Sequence, residues 1–291
     1  MLVAFYHRHW RALCAVWALV LCLGLYTAFE RALPADSTDV ALDAVRLPIA
    51  MYHGVQKSAK NVGAYIVSTA QLERDFAAYQ AAGYETVVVA DLIDFVRFGA
   101  PLPAKPLMIT FDDGQLAILT YALPLLQKYG FKAVVSVVGA YADMAESQAD
   151  PNPQYAYLTW QDIQTLAESG SVEIQSHSYN MHALSKRRGS SRMQGESPAQ
   201  YEAAFIGDLS QMQAQLVERA GVTAAAFTYP FGLISDQAPA LLKKMGFQAA
   251  LTCEERVNRL TRDPDALFQL GRFNRSGLLT TDTFLHKLAI E

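Results

Sequence analysis

Apolar and polar positions along this chain fall into two alternating rhythms. Short continuous apolar runs, "LPIAMYH", "YETVVVA", "PLMITF", "FKAVVSVVG", "SVEIQS", "AAAFTY", "FQAALTC" and "LFQLGRF", each give way to a polar or glycine-containing loop. Runs without internal alternation mark strands buried on both faces, as in parallel sheets. Between most of them the apolar residues take helical spacing. Ser68 is placed to cap a helix with Gln71 three residues on, Leu72, Phe76 and Tyr79 share a face, and Gly83 stops it. Ser197-Pro198 opens a longer helix carried by Tyr201, Phe205, Leu209, Met212 and Leu216 and ended by Gly221. Residues 159–170 and 235–246 repeat the plan. This alternation predicts an α/β fold with parallel strands. Seven or eight strands, each followed by a helix or loop, favour a barrel over an open sheet. No internal repeat is visible, and residues 47–291 read as one domain.

The N-terminus differs in kind. His7, Arg8, His9 and Arg11 precede residues 12–29, which contain no charged side chain. Eighteen such residues reach the lower limit for crossing a bilayer, and the basic flank favours keeping that end in the cytoplasm. Residues 1–30 therefore read as a transmembrane anchor, or as a signal segment if cleaved, and 31–46 ("RALPADSTDVALDAVR") as a linker. Either way the remainder is expected outside the cytoplasm, held at the cell membrane or secreted. Cys14 and Cys22 lie in the apolar run, so Cys253 stands alone in the body and no disulfide can form there.

A formal net charge of −4 over 291 residues gives no electrostatic footprint for nucleic acid. The basic cluster Lys186-Arg187-Arg188, broken by Gly and Ser, reads as a solvated loop.

Barrel enzymes collect their chemistry at the carboxyl ends of the strands. Here "LPIAMY" ends at His53, "PLMITF" at Asp112-Asp113-Gly114, and "VEIQS" at a segment running from His177 to His182. "AAAFTY" ends at Pro230-Phe231-Gly232, and "LFQL" at Gly271-Arg272. Three of the six histidines thus sit at strand ends. One carboxylate and two imidazoles make a common zinc set with positions left for water and substrate. A second carboxylate beside them can stay ionised next to the cation and act as general base. Taken singly, paired Asp before Gly is a turn signature, and Arg272 is an ordinary ion-pair partner. The conjunction of five strand ends points to a site.

In that order, "TFDDG", "SHSYNMH" and "FTYPFG", with the upstream "PIAMYHGV", resemble the polysaccharide deacetylases of carbohydrate esterase family 4, the NodB-homology domains. The likeness runs from about Leu47 to the C-terminus. It implies a distorted (β/α) barrel of about seven strands that hydrolyses N- or O-acetyl groups on sugar polymers. Asp112 then matches the catalytic base, and Asp113, His177 and His182 the metal ligands. The metal and the Tyr229 backbone N–H would stabilise the oxyanion, and Tyr229, Pro230, Phe231 and Gly232 would line the sugar groove. Arg272 is grouped with these substrate-facing residues. The ligand set suits zinc, and cobalt, nickel and iron also accept it.

Three features depart from the common family pattern. The second histidine lies five residues after the first, where many members have four. The arginine usually found before the Tyr-Pro pair is missing, with Ala225 and Ala226 in its region. Leu270-Gly271-Arg272 replaces the late Leu-x-His motif that supplies the general acid. Together they look like the branch containing poly-N-acetylglucosamine deacetylases of biofilm systems, in which a histidine resembling His53 lies at the site. Either the missing general acid makes the enzyme slow, or His53 or a water is expected to protonate the leaving amine; His286, on a terminal helix, is not. Tyr179, Trp160 and Phe231 are candidate sugar-stacking aromatics. The expected substrate is peptidoglycan or poly-N-acetylglucosamine. A small-molecule or O-acetyl deacetylase and a non-catalytic glycan-binding protein are the competing classes.

Overall fold

The computed structural model describes residues 44–290 apart from position 149. The expected anchor and all but the last residues of the linker lie outside the described residues. Among the described residues no helix is long and apolar enough to cross a membrane.

The strands run in chain order as β1 (Val45–Leu47), β2 (Ile49–Tyr52), β3 (Gly54–Gln56), β4 (Ile66–Ser68), β5 (Glu85–Thr86) and β6 (Pro106–Phe111). They continue as β7 (Ala133–Val137), β8 (Val172–Ser176), β9 (Ala226–Thr228), β10 (Ala249–Leu251), β11 (Asn258–Leu260) and β12 (Phe273–Asn274). Eight of them form one parallel sheet, seven in the order β10-β9-β8-β7-β6-β2-β12 and β5 paired with β6 beside that path. Leu270 donates its N–H to Ala250 O at 2.7 Å and bridges in parallel to Leu251, while Phe273 and Asn274 pair with β2. Residues 270–274 therefore join the two edges of the sheet, as a barrel requires. The ring is distorted between β8 and β9, which pair only at Ser176 and Phe227. There the Gln175 side chain substitutes for the ladder, its Oε1 accepting the Ala226 N–H at 2.6 Å.

Strand residues divide between two cores according to the period-2 geometry of a strand. Leu107, Ile109 and Phe111 of β6 pack with helical residues such as Leu72, Phe76, Leu126 and Leu209. Met108 joins Ile49, Val134, Ala226, Ala249 and Leu251 in a second cluster. Thr110 and Asp112 share the strand face of Met108, so the alternation that builds the inner core also delivers Asp112 to the barrel mouth.

Capping boxes at Ser68–Gln71, Thr159–Asp162 and Ser197–Gln200 start the helices Thr69–Ala81, Trp160–Glu168 and Pro198–Ala220. Expected helix 235–246 is shorter, Ala238–Lys244. Two expected strands differ more. Of "YETVVVA" only Glu85–Thr86 is strand, and Val89 begins the helix Val89–Phe98. Valine favours strands, but three N–H groups at the helix N-terminus find carboxylate acceptors. Asp91 accepts the Val88 N–H at 2.9 Å, and Glu173 of β8 accepts those of Val89 and Ala90 at 3.1 and 3.0 Å. The helix then places Val89, Leu92, Ile93, Phe95 and Val96 in the inner core. "LFQLGRF" begins on the last residue of a 3-10 turn, Pro264–Leu267, and only its final Phe273 is strand, at the start of the short β12, so Arg272 precedes a strand rather than ending one.

Candidate active site

At the end of β6 the two neighbouring acids diverge because the backbone turns sharply between them. Asp113 has φ +70° and Gly114 φ +73°, and a Cβ on Gly114 would lie 3.1 Å from Val137 Cγ1. Left-handed backbone at a non-glycine residue is strained, and such strain gathers at functional sites. Ser178 (φ +77°) and Phe231 (φ +58°) share it at the ends of β8 and β9.

Asp112 points inward. Its Oδ1 and Oδ2 accept from Arg272 Nη1 and Nη2 at 2.7 and 2.9 Å. Arg272 is fully buried and also donates to Thr252 O at 2.9 Å and Thr110 Oγ1 at 3.2 Å. Burial alone would raise the Asp112 pKa; the Arg272 charge, with His177 and His53 nearby, overrides it and holds the carboxyl well below the usual range. Arg272 is therefore not a substrate-facing residue as expected. It keeps Asp112 ionised and holds it with two hydrogen bonds.

Asp113 points to the histidines. His177 Nδ1 lies 2.8 Å from Thr228 O. A carbonyl only accepts, so Nδ1 carries the proton and Nε2 presents a lone pair. Tyr141 Oη lies 3.1 Å from His182 O and 3.0 Å from His182 Nδ1; with its proton on the carbonyl, Nδ1 is the donor and the second Nε2 is bare as well. The two Nε2 atoms lie 3.6 and 3.1 Å from Asp113 Oδ1. Asp113 Oδ1 is buried without a partner. Burial brings His177 down to about 4, so the ring is neutral at physiological pH. Three ligating atoms within 4.8 Å of one another, a carboxylate oxygen and two imidazole nitrogens, form a set that a divalent cation satisfies.

The histidine loop is pinned from below. Asp208, on the helix Pro198–Ala220, accepts the N–H groups of Tyr179 and Asn180 at 2.8 Å each, and Ser178 Oγ accepts that of Met181 at 3.0 Å. These bonds let histidines five residues apart face one point from a loop, which no helix would allow.

His53 follows β2 beside Asp112, since Tyr52 pairs with Phe111 and accepts the Asp112 N–H at 3.0 Å. Its Nδ1 is buried without a partner.

The Tyr229 expectation changes. Its N–H donates to Leu251 O at 3.0 Å, extending the β9–β10 ladder, and its ring is buried against Phe227. Neither an oxyanion nor a sugar reaches it. Gly232 donates to Tyr229 O and Leu233 to Pro230 O, while Pro230 is buried and has no N–H. Among the described residues the Phe231 N–H is left without an acceptor, and the Phe231 ring lies 4.5 Å from that of His182, 39% exposed. Phe231 is thus the groove residue of its segment. Gly232 is a spacer, for a Cβ there would lie 2.8 Å from Cys253 Cβ. Trp160 is buried, its Nε1–H donating to Asp143, and Tyr179 Oη donates to the same carboxylate. Both serve the core side of the molecule. His286 lies in the helix Thr281–Lys287, as expected.

Sequence reasoning missed Arg272's role and Tyr141. The available signal for Tyr141 was that "FKAVVSVVG" also ends at this face, with Tyr141 just after it.

The family model "Polysaccharide deacetylase" matches residues 99–250, more than half of the chain, and the chain belongs to that family. Over 222 residues the chain is 28% identical to the poly-beta-1,6-N-acetyl-D-glucosamine N-deacetylase of Escherichia coli K12, covering 70% of this chain and 33% of that protein. It is 23% identical over 200 residues to the enzyme of the same name from Staphylococcus aureus MRSA252, covering 69% and 65%. The chain thus spans about a third and somewhat under two thirds of these relatives' lengths. The solved de-N-acetylase from Aggregatibacter actinomycetemcomitans superposes with a TM-score of 0.71 at 22% identity, covering 84% of this chain and all of that one. It shares the fold.

Proposed function

We propose that this protein is a metal-dependent N-deacetylase of poly-β-1,6-N-acetylglucosamine, acting at the cell surface behind its N-terminal segment. The carrying observation is the pairing of an orphaned Asp113-His177-His182 lone-pair set with an adjacent carboxylate kept ionised by a buried arginine. Binding a glycan needs no such base, which favours an enzyme over a glycan-binding protein. The names of the curated relatives favour the β-1,6 polymer over peptidoglycan.

Asp113, His177 and His182 would hold a divalent cation, zinc by ligand chemistry, which supplies Lewis acidity when bound. Asp112 takes the proton of the attacking water, an assignment its free lone pairs and fixed orientation support. The Phe231 N–H donates to the oxygen that gains charge as the acetamide carbon becomes tetrahedral. His53, at the mouth beside Asp112, gives a proton to the departing amine. The Phe231 ring packs on His182 and lines the groove.

The test is acetate release from β-1,6-linked N-acetylglucosamine oligomers and from peptidoglycan by the detergent-solubilised full chain. It is run before and after chelation and after zinc or cobalt reloading. Release that chelation removes, reloading restores and Asp112→Asn abolishes is the expected result. Metal uptake without release from either substrate overturns the reading.

A further inference from the structure

Tyr65 is a large aromatic residue 60% exposed to solvent, yet it belongs to one of the most tightly tethered loops of the molecule. Its carbonyl accepts the Gly54 N–H at 2.9 Å, and the residues after it continue as β4 on β3. Asn274 Nδ2 donates to Ala64 O at 2.9 Å, and the Gly277 N–H donates to Gly63 O at 2.9 Å. A Cβ on Gly277 would lie 2.1 Å from Ile66 O, so the loop is seated against a position only glycine fits. These bonds fix the backbone of an exposed side chain that adds nothing to either core.

Among the described residues the ring has one aromatic neighbour, which explains where it stands. Tyr65 meets the His53 ring edge-on, with centroids 5.0 Å apart. His53 is in strand register beside Asp112, so Tyr65 overhangs the end of β2 next to the catalytic base. On the other side Phe231 lies over His182 at the end of β9. In the sheet β2 and β9 are separated by β6, β7 and β8. The two exposed rings therefore flank the Asp113-His177-His182 set from different sides of the barrel mouth.

We infer that Tyr65 is a sugar-stacking platform that binds a neighbouring unit of the polymer, and that the chain lies across the mouth from Tyr65 to Phe231. The inference rests on the reading of the protein as a deacetylase of an N-acetylglucosamine polymer. A pyranose presents a face of C–H groups that packs on an aromatic ring, and a side chain carried on an already fixed backbone loses less entropy on binding than one on a free loop. Tyr65 thus reads chain length rather than the acetyl group.

Affinity and steady-state kinetics are measured together for the wild type, Tyr65→Ala and Tyr65→Trp, using β-1,6-linked N-acetylglucosamine dimer and pentamer and the full chain in detergent. Circular dichroism confirms each variant's fold. Tyr65→Ala is expected to weaken pentamer binding and raise its KM by about 3- to 10-fold, more than it lowers kcat. The dimer should be affected less, and Tyr65→Trp should restore the pentamer. An equal loss of kcat on both oligomers would instead make Tyr65 a cover for His53 and overturn the platform. Wild-type release of acetate with unaltered pentamer binding by Tyr65→Ala also overturns it, while the deacetylase reading stands. Pentamer binding without acetate release refutes the deacetylase reading alone, and the affinity loss in Tyr65→Ala still decides the platform. Absence of wild-type binding removes both.

Discussion

Arg272 and Arg275 flank the short strand β12, and each reaches a buried aspartate, Asp112 in one case and Asp75 in the other. In composition and burial the pairs match. Their hydrogen bonding does not. Asp75 Oδ2 accepts from Arg275 Nε at 2.7 Å and Tyr52 Oη at 3.1 Å, while Oδ1 accepts from Arg275 Nη2 at 3.1 Å and Thr281 Oγ1 at 2.6 Å. Tyr79 Oη adds a further link to Tyr52 at 2.9 Å. Each oxygen of Asp75 thus has two donors and its acceptor capacity is used. Asp112 receives one Arg272 donor per oxygen and, among the described residues, no other side-chain donor. One carboxylate is a junction between helix Thr69–Ala81, β2 and the C-terminal segment. The other keeps lone pairs free at the barrel mouth. A buried Asp-Arg pair becomes a base when it is left unsaturated and set at a strand end.

The largest effect is expected at Asp112. Asp112→Asn keeps the shape and an oxygen for Arg272 but cannot take a proton, so acetate release should fall by about 10²- to 10⁴-fold. Near-wild-type turnover would mean that Asp112, like Asp75, is structural. The converse substitution is Arg275→Met. It strands Asp75 in the interior and should cost about 3–5 kcal/mol in denaturant unfolding. The double variant Asp75→Leu/Arg275→Met should regain much of that loss, because no unpaired charge remains. An Arg275→Met protein that unfolds like the wild type would remove the junction role.

Next in size is the effect of the cation, which separates the two adjacent acids. A metal bound at 100 times its Kd stabilises the folded state by about 2.7 kcal/mol. The resulting rise in Tm should disappear in Asp113→Ala and His182→Ala and persist in Asp112→Asn. A shift that also vanishes in Asp112→Asn would place both acids on the metal.

Much of this site was legible because its chemistry is local in sequence. Asp112-Asp113-Gly114 and the His177 to His182 loop each follow an apolar run, and strand-end placement is enough to bring them together. The barrel class was legible for the same reason, since runs buried on both faces and capped helices alternate. Arg272 was placed at the site but its partner was not legible, because Asp112 lies 160 residues away and pairing across a barrel leaves no periodic trace. Tyr229 failed by a shift of one or two residues. The apolar run ends there, but the ladder with Leu251 takes its N–H and passes the open donor to Phe231. Val89 failed because the Glu173 carboxylate, brought in from β8, joins the local Asp91 in capping a helix that valine by itself would not start.

Glu173 sharpens the comparison from a third direction, as a half-buried carboxylate with no arginine. Its oxygens accept from the Val89 and Ala90 N–H groups and from Gln175 Nε2 at 2.6 Å. Burial raises its pKa, and these dipolar donors offset that only in part, whereas the full charge of Arg272 reverses the shift at Asp112. The folded state therefore holds the Glu173 proton more tightly than the unfolded chain does. Its stabilising contribution is complete below the ordinary glutamate value and declines as pH rises through the raised folded value. Glu173→Gln removes this titration while keeping an oxygen for the helix N-terminus, so urea unfolding of the variant should vary less with pH across that window. The difference should be smaller than the loss in Arg275→Met, because no charge is stranded. An unaltered pH profile in Glu173→Gln would show that the helix dipole and its two N–H donors compensate burial as fully as a guanidinium does.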